Sequence, residues 1–171
     1  LTDDECHRAA NYGATVQRLR ALDARDGRLQ PIWSYVEVGH PFSEDHFPSI
    51  KPTQIRAAVW HSIIGGAQGI VYFNHSFGGP CPTQHALREP CYADQRAAVS
   101  SVNRQIAQLA TVINGPTDTA SVKLSEVRAL VKRRDDAWYI FAGSDGTTGA
   151  RTFTVAGAPD TTVEVLGEGV H

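Results

Sequence analysis

Glu37 is the residue of this 171-residue chain whose type and position most invite a chemical reading. It closes a run rich in aromatic and β-branched side chains, Ile32-Trp33-Ser34-Tyr35-Val36-Glu37-Val38, and Gly39-His40-Pro41 stops that run from continuing. Such a run reads as a short strand, and in a β/α barrel functional groups collect at the carboxyl ends of strands. Period-two alternation sets Trp33, Tyr35 and Glu37 on one face. Aromatic rings beside a carboxylate suit a sugar, whose flat faces stack on rings while its hydroxyls seek acceptors. The plainer alternative is a surface glutamate at a strand end, paired with Arg56 or His40.

Other polar residues divide between chemistry and scaffolding. His40 and His46 follow Glu37 in a proline-broken loop and are candidates to orient a substrate, or else are simply solvated. Glu44 and Asp45 are expected to face water. Trp60 and His61 fall inside a helical pattern and are expected to pack. Cys81 and Cys91 bracket a segment of proline and polar residues, and a disulfide closing that loop would stabilise it by about 2–3 kcal/mol. Two unpaired thiols are the other possibility. Cys6 is left over, with a partner expected elsewhere. There is no CxxC or HxxxH pair to hold a metal, and no metal or cofactor is expected.

The elements that must position these groups follow from periodicity. Residues 4–22 read as a helix, with Ala10, Val16, Leu19 and Leu22 facing a core and Arg18 and Arg20 facing solvent. After the strand ending at Glu37, residues 40–52 form a loop. Thr53 is a candidate N-cap for a helix over 54–66, with Arg56 where a capping-box glutamate would stand. Its core positions are Ile55, Ala58, Val59, Ser62 and Ile63, and Gly65 and Gly66 end it through left-handed angles. Gly69-Ile70-Val71-Tyr72-Phe73 is a nearly all-apolar strand of the kind buried on both faces of a parallel sheet. A long loop leads to a helix over 93–113, with Val99, Val102, Ile106, Leu109 and Val112 in one stripe. The alternation implies an α/β fold with a parallel sheet. Beyond Gly115-Pro116, strands over 127–132, 137–142 and 152–155 predict an antiparallel tail. Two domains are therefore expected, 1–115 and 116–171.

Composition bounds the rest. A formal charge of −2 leaves no electrostatic footprint for nucleic acid. No apolar run reaches the roughly 20 residues of a membrane helix. The chain begins at Leu1, lacks methionine and shows no signal-peptide pattern. From these features a processed or nicked product is expected, and a Cys81–Cys91 disulfide would suit an oxidising, extracellular setting.

The run from Pro31 to Glu37 resembles the seventh barrel strand of clan A glycoside hydrolases, where a nucleophilic glutamate closes the strand. Lys51-Pro52-Thr53-Gln54-Ile55-Arg56 through Gly65-Gly66-Ala67-Gln68-Gly69-Ile70-Val71-Tyr72-Phe73 is similar to their seventh helix and eighth strand. Val102-Asn103-Arg104-Gln105-Ile106-Ala107-Gln108-Leu109 resembles their last barrel helix, after which a small β-domain commonly follows. The likeness covers most of the chain, from about Ala10 to Leu166. It implies the C-terminal portion of a (β/α)8 TIM barrel followed by a partial antiparallel β-sandwich. It also implies a secreted, retaining glycosidase acting on a poly- or oligosaccharide, with Glu37 attacking the anomeric carbon.

The chain departs from the family in two places. The second acid, usually in an Asn-Glu pair ending the fourth strand, is absent; the missing N-terminal part of the barrel is the partner expected to supply it, and these residues alone are expected to be inactive. Where members carry a tryptophan platform after the eighth strand, this chain has Asn74-His75-Ser76-Phe77. There Asn74 or His75 could hold a hydroxyl and Phe77 could stack, or the polar pair only caps the strand. Against the hydrolase stand a non-catalytic carbohydrate-binding protein on the same scaffold and a structural subunit supporting the β-tail.

Overall fold

The structure, a computed structural model, describes residues 7–43, 48–79, 81–119, 122–124, 127–144, 149–150, 152–156 and 163–166. Cys6, Glu44, Asp45, His46 and the first residues of the expected N-terminal helix lie outside that set. Two short strands, β1 (Trp33–Glu37) and β2 (Gly69–Phe73), pair in parallel, with Trp33 opposite Gly69 and Glu37 opposite Phe73. Parallel neighbours need a crossover, supplied by helix α2 (Pro52–Ile64). Helix α1 (Ala9–Asp23) precedes β1, and helix α3 (Ala93–Ile113) follows β2.

Helix α2 is the centre of the packing. It lies against α1, α3 and β1, and against strand β5 (Ala137–Gly143) of the tail. Being surrounded, it buries Ile55, Ala58, Val59, His61, Ser62, Ile63 and Ile64 rather than one stripe. Ser62 is accommodated locally: its hydroxyl donates to the Ala58 carbonyl at 2.8 Å, and lies 2.9 Å from that of Ser34 on the inner face of β1. Val36 and Val38 complete the core below the sheet, with Ile50, Tyr92, Val99 and Val102.

Several expectations are corrected. The N-cap of α2 is Lys51, not Thr53. Pro52 occupies the first turn, where its fixed φ favours helix and its missing N–H is no loss, and the Gln54 side chain accepts from the Lys51 N–H at 2.8 Å. At the other end only Gly66 takes a left-handed φ, of 100°; Gly65 stays right-handed. Gly65 instead meets Gly13 of α1, where a Cβ on either glycine would run into the opposing backbone. In α1 the buried face is Ala10, Gly13 and Val16, while Leu19 and Leu22 are exposed. The helix closes by that face because its two closest approaches are glycines. Strand β2 is half-buried rather than buried on both sides: α2 packs against β1, while the sheet face carrying Trp33, Tyr35 and Phe73 is left open among the described residues.

The tail holds two antiparallel pairs, β4 (Arg128–Arg134) with β5, and β3 (Val122–Leu124) with β6 (Phe153–Val155). No sandwich and no barrel is formed among the described residues; the fold shown is α/β in the broad sense. The β4–β5 turn is Asp135-Asp136 alone, Asp135 taking a φ of 53°, which aspartate tolerates better than most residues. That tight turn lets pairing run to Arg134. Phe141 of the hairpin stacks on Trp60 at 5.6 Å between centroids. Lys132, buried, donates to the Gly115 carbonyl at 2.7 Å and to Thr117 Oγ1 at 3.0 Å, tying the hairpin to the end of α3. Burial pushes its ammonium pKa down.

Candidate functional site

Alternation along β1 sends Ser34 and Val36 into the core and Trp33, Tyr35 and Glu37 to the uncovered face. Trp33 and Tyr35 are 61% and 64% exposed. The Trp33 ring folds across Gly69, which has no side chain to hold it off: a Cβ there would lie 2.6 Å from the ring. Glu37 is partly buried at the carboxyl end. Its Oε1 accepts a hydrogen bond of 2.5 Å from Tyr12 Oη, and His7 Nε2 lies 3.7 Å from the same oxygen.

Neither Arg56 nor His40 pairs with Glu37, as the plainer alternative had it. Arg56 Nη1 donates to Gln105 Oε1 at 2.7 Å, on the other side of α2. His40 is buried, with Nδ1 hydrogen-bonded to the Phe42 carbonyl oxygen and its ring against Gly79. The carboxylate is instead held from α1. That helix runs antiparallel to the strands: Tyr12 near its start reaches Glu37, while Arg20 near its end bonds the Gln30 carbonyl and Gln68 at the other end of the sheet. His7 and Tyr12 were missed from the sequence because nothing local marks them. The usable signal was topological, since a helix preceding a parallel strand starts at the sheet's carboxyl end, beside Glu37.

Beside Glu37, three rings form a triangular cluster. Phe73 is its register partner, and Phe73, His75 and Phe77 stack with centroids 6.2, 6.0 and 4.2 Å apart for the pairs 73–75, 73–77 and 75–77. Asn74 does structural duty. Its Oδ1 accepts the Leu87 N–H at 2.7 Å and its carbonyl the Ala86 N–H at 3.1 Å, fixing the turn at Ala86–Arg88. Cys81 and Cys91 form the expected disulfide within the same loop. No group of metal-binding side chains is found among the described residues.

The arrangement offers an oriented carboxylate, a tyrosine hydroxyl and a buried imidazole against it, and aromatic surface on both adjoining strands. Chemically this can accept hydrogen bonds from hydroxyls, stack on a flat apolar face, and present an oxygen nucleophile. No protein-family model matches the chain, and neither a curated protein nor a solved structure similar to it is found.

Proposed function

We propose that this chain is the C-terminal portion of a (β/α)8-barrel glycoside hydrolase with a following β-domain, and that Glu37 is its nucleophile. The observation that carries the reading is Glu37 itself: a held carboxylate at the carboxyl end of a parallel strand, on a bare face between exposed rings. Parallel sheets are ordinarily covered on both faces. In a barrel the second face is the packed interior, and the remaining strands would enclose Trp33, Tyr35 and Phe73. The exposed Leu19 and Leu22 of α1 likewise suit a neighbouring helix of the outer ring.

In this reading a Glu37 oxygen forms a bond to the anomeric carbon as the glycosidic C–O bond breaks. An acid from the rest of the barrel protonates the leaving oxygen, then deprotonates the water that releases the sugar. Retention needs the two carboxyl groups roughly 5–5.5 Å apart. Tyr12 keeps the attacking oxygen aimed, and His75 and Phe77 line the sugar's path. The disulfide suits an oxidising, extracellular compartment, and no helix among the described residues is long and apolar enough to cross a membrane. A carbohydrate-binding protein on the same scaffold is the second reading, since the exposed rings beside Glu37 would hold a sugar equally well without a second carboxylate facing it.

The test is Glu37→Gln in the full-length protein, assayed on soluble polysaccharides and on a panel of p-nitrophenyl glycosides. Turnover is expected to fall to background while sugar affinity stays within about threefold, since the amide keeps the shape but cannot attack. Undiminished turnover refutes the nucleophile; binding without turnover in the parent supports the second reading.

A further inference from the structure

Ser76 is buried, and its hydroxyl sits where two loops at the carboxyl end of the sheet meet. It accepts the His40 N–H at 3.0 Å, lies 2.6 Å from Tyr92 Oη and donates to the Gly78 carbonyl at 3.2 Å. A hydroxyl has one proton and two lone pairs. With its proton on Gly78, Ser76 takes a hydrogen from His40 and another from Tyr92, and every valence is used. The backbone repeats the bond between loops: the Phe77 N–H donates to the His40 carbonyl at 3.1 Å, and Ser76 pairs with Thr83 in both directions, at 2.8 and 3.0 Å. Thr83 lies within the ring closed by Cys81–Cys91, and Tyr92 directly follows it. Gly39 makes the approach possible, because a Cβ there would lie 2.8 Å from that of Ser76.

His40 is three residues beyond Glu37, and Ser76 joins His75 to Phe77 along the chain, two residues whose rings stack at 4.2 Å between centroids. The one hydroxyl therefore sets where the ring stack stands relative to the carboxylate. We propose that Ser76 is a positioning residue: through its bonds to His40 and Tyr92 it locks the His75–Phe77 platform at a fixed offset from Glu37, so that a sugar ring stacked there is presented to the carboxylate. This rests on the hydrolase reading above. The platform contacts the ligand before and during reaction alike, so its displacement should raise KM and leave kcat nearly unchanged.

The test uses the full-length protein and the p-nitrophenyl glycoside that it turns over fastest, or a soluble polysaccharide followed by calorimetry if it only binds. Ser76→Ala is expected to raise KM or Kd about fivefold or more with kcat within about twofold, and to add less than about twofold in a Phe77→Ala background, because both changes remove one platform. Tyr92→Phe, a milder cut, should move KM in the same direction. A loss of kcat equal to the rise in KM, or effects of Ser76→Ala and Phe77→Ala that simply multiply, overturns the proposal. Glu37→Gln run alongside separates the failures: full turnover there sinks the nucleophile while the Ser76–Phe77 coupling is judged by itself. A parent that neither turns over nor binds any sugar sinks both.

Discussion

Gly13→Ala sets two effects of similar size against each other, and the structure decides between them. In the interior of a helix alanine is favoured over glycine by about 0.5–1 kcal/mol. Here, however, the new Cβ would lie 2.5 Å from the His61 carbonyl oxygen and 3.2 Å from its carbon. Both are backbone atoms of α2, so no rotamer change relieves the clash. The helices would have to separate by roughly 1 Å to restore ordinary van der Waals contact. Gly65 shares the crossing, its own missing Cβ lying 2.9 Å from Gly13 Cα, and α2 is wedged between α1, α3 and the hairpin, so it has little room to move away. Overpacking of this kind costs about 1–3 kcal/mol. The net expectation is a loss of about 1–2 kcal/mol, seen as a lower urea midpoint at unchanged slope. For a chain of this size that is a fall in Tm of roughly 3–6 °C. Gly27→Ala is the control: nothing lies within 4 Å of its missing Cβ, and only its left-handed φ of 74° opposes the change. A Gly13→Ala protein more stable than the parent would refute the reasoning, since the α1–α2 contact would then be loose enough for helix propensity to win.

The remaining predictions are briefer. Burial pushes the Tyr72 phenol up to about 12, and its hydroxyl donates to Asn103 Oδ1 at 2.7 Å. Because the folded pKa is the higher one, this group's stabilisation is complete below the unfolded value of about 10 and is lost as pH rises through about 12; absorbance titration at 295 nm should show one late-ionising tyrosine that Tyr72→Phe removes. Paired Cys81→Ser and Cys91→Ser substitutions open a ring of sequence separation 10, with an expected loss of about 2–3 kcal/mol by denaturant titration; an unchanged midpoint would show that the hydrogen bonds around Ser76 hold the loop without the disulfide.

Much of the layout was legible because local pattern and final environment agree. Gly69–Phe73 and Ala93–Ile113 begin and end where the sequence reading put them, since their glycine, proline and apolar signals act within a few residues. The Cys81–Cys91 pairing needed only a short loop to close. Leu19 and Leu22 fit the helical period of the N-terminal segment and still face outward, because period does not say which of two possible apolar faces a helix buries. Lys51 displaced Thr53 as cap because proline is both a loop-former and a good first helical residue, and composition alone does not choose between those roles.

The chain by itself determined the order of helices and strands, and it placed Glu37 at a strand end on the same side as Trp33 and Tyr35, because alternation along a strand is a property of the backbone. It could not supply Tyr12 and His7 beside that carboxylate, the Gly13–Gly65 crossing, or the hub at Ser76. Each of these includes a contact between residues 25 or more positions apart, and such contacts are set by how the elements pack on one another. The uncovered sheet face belongs to the same category: apolar residues on a strand look alike in sequence whether or not something lies against them, and only the packed structure distinguishes a covered face from a bare one.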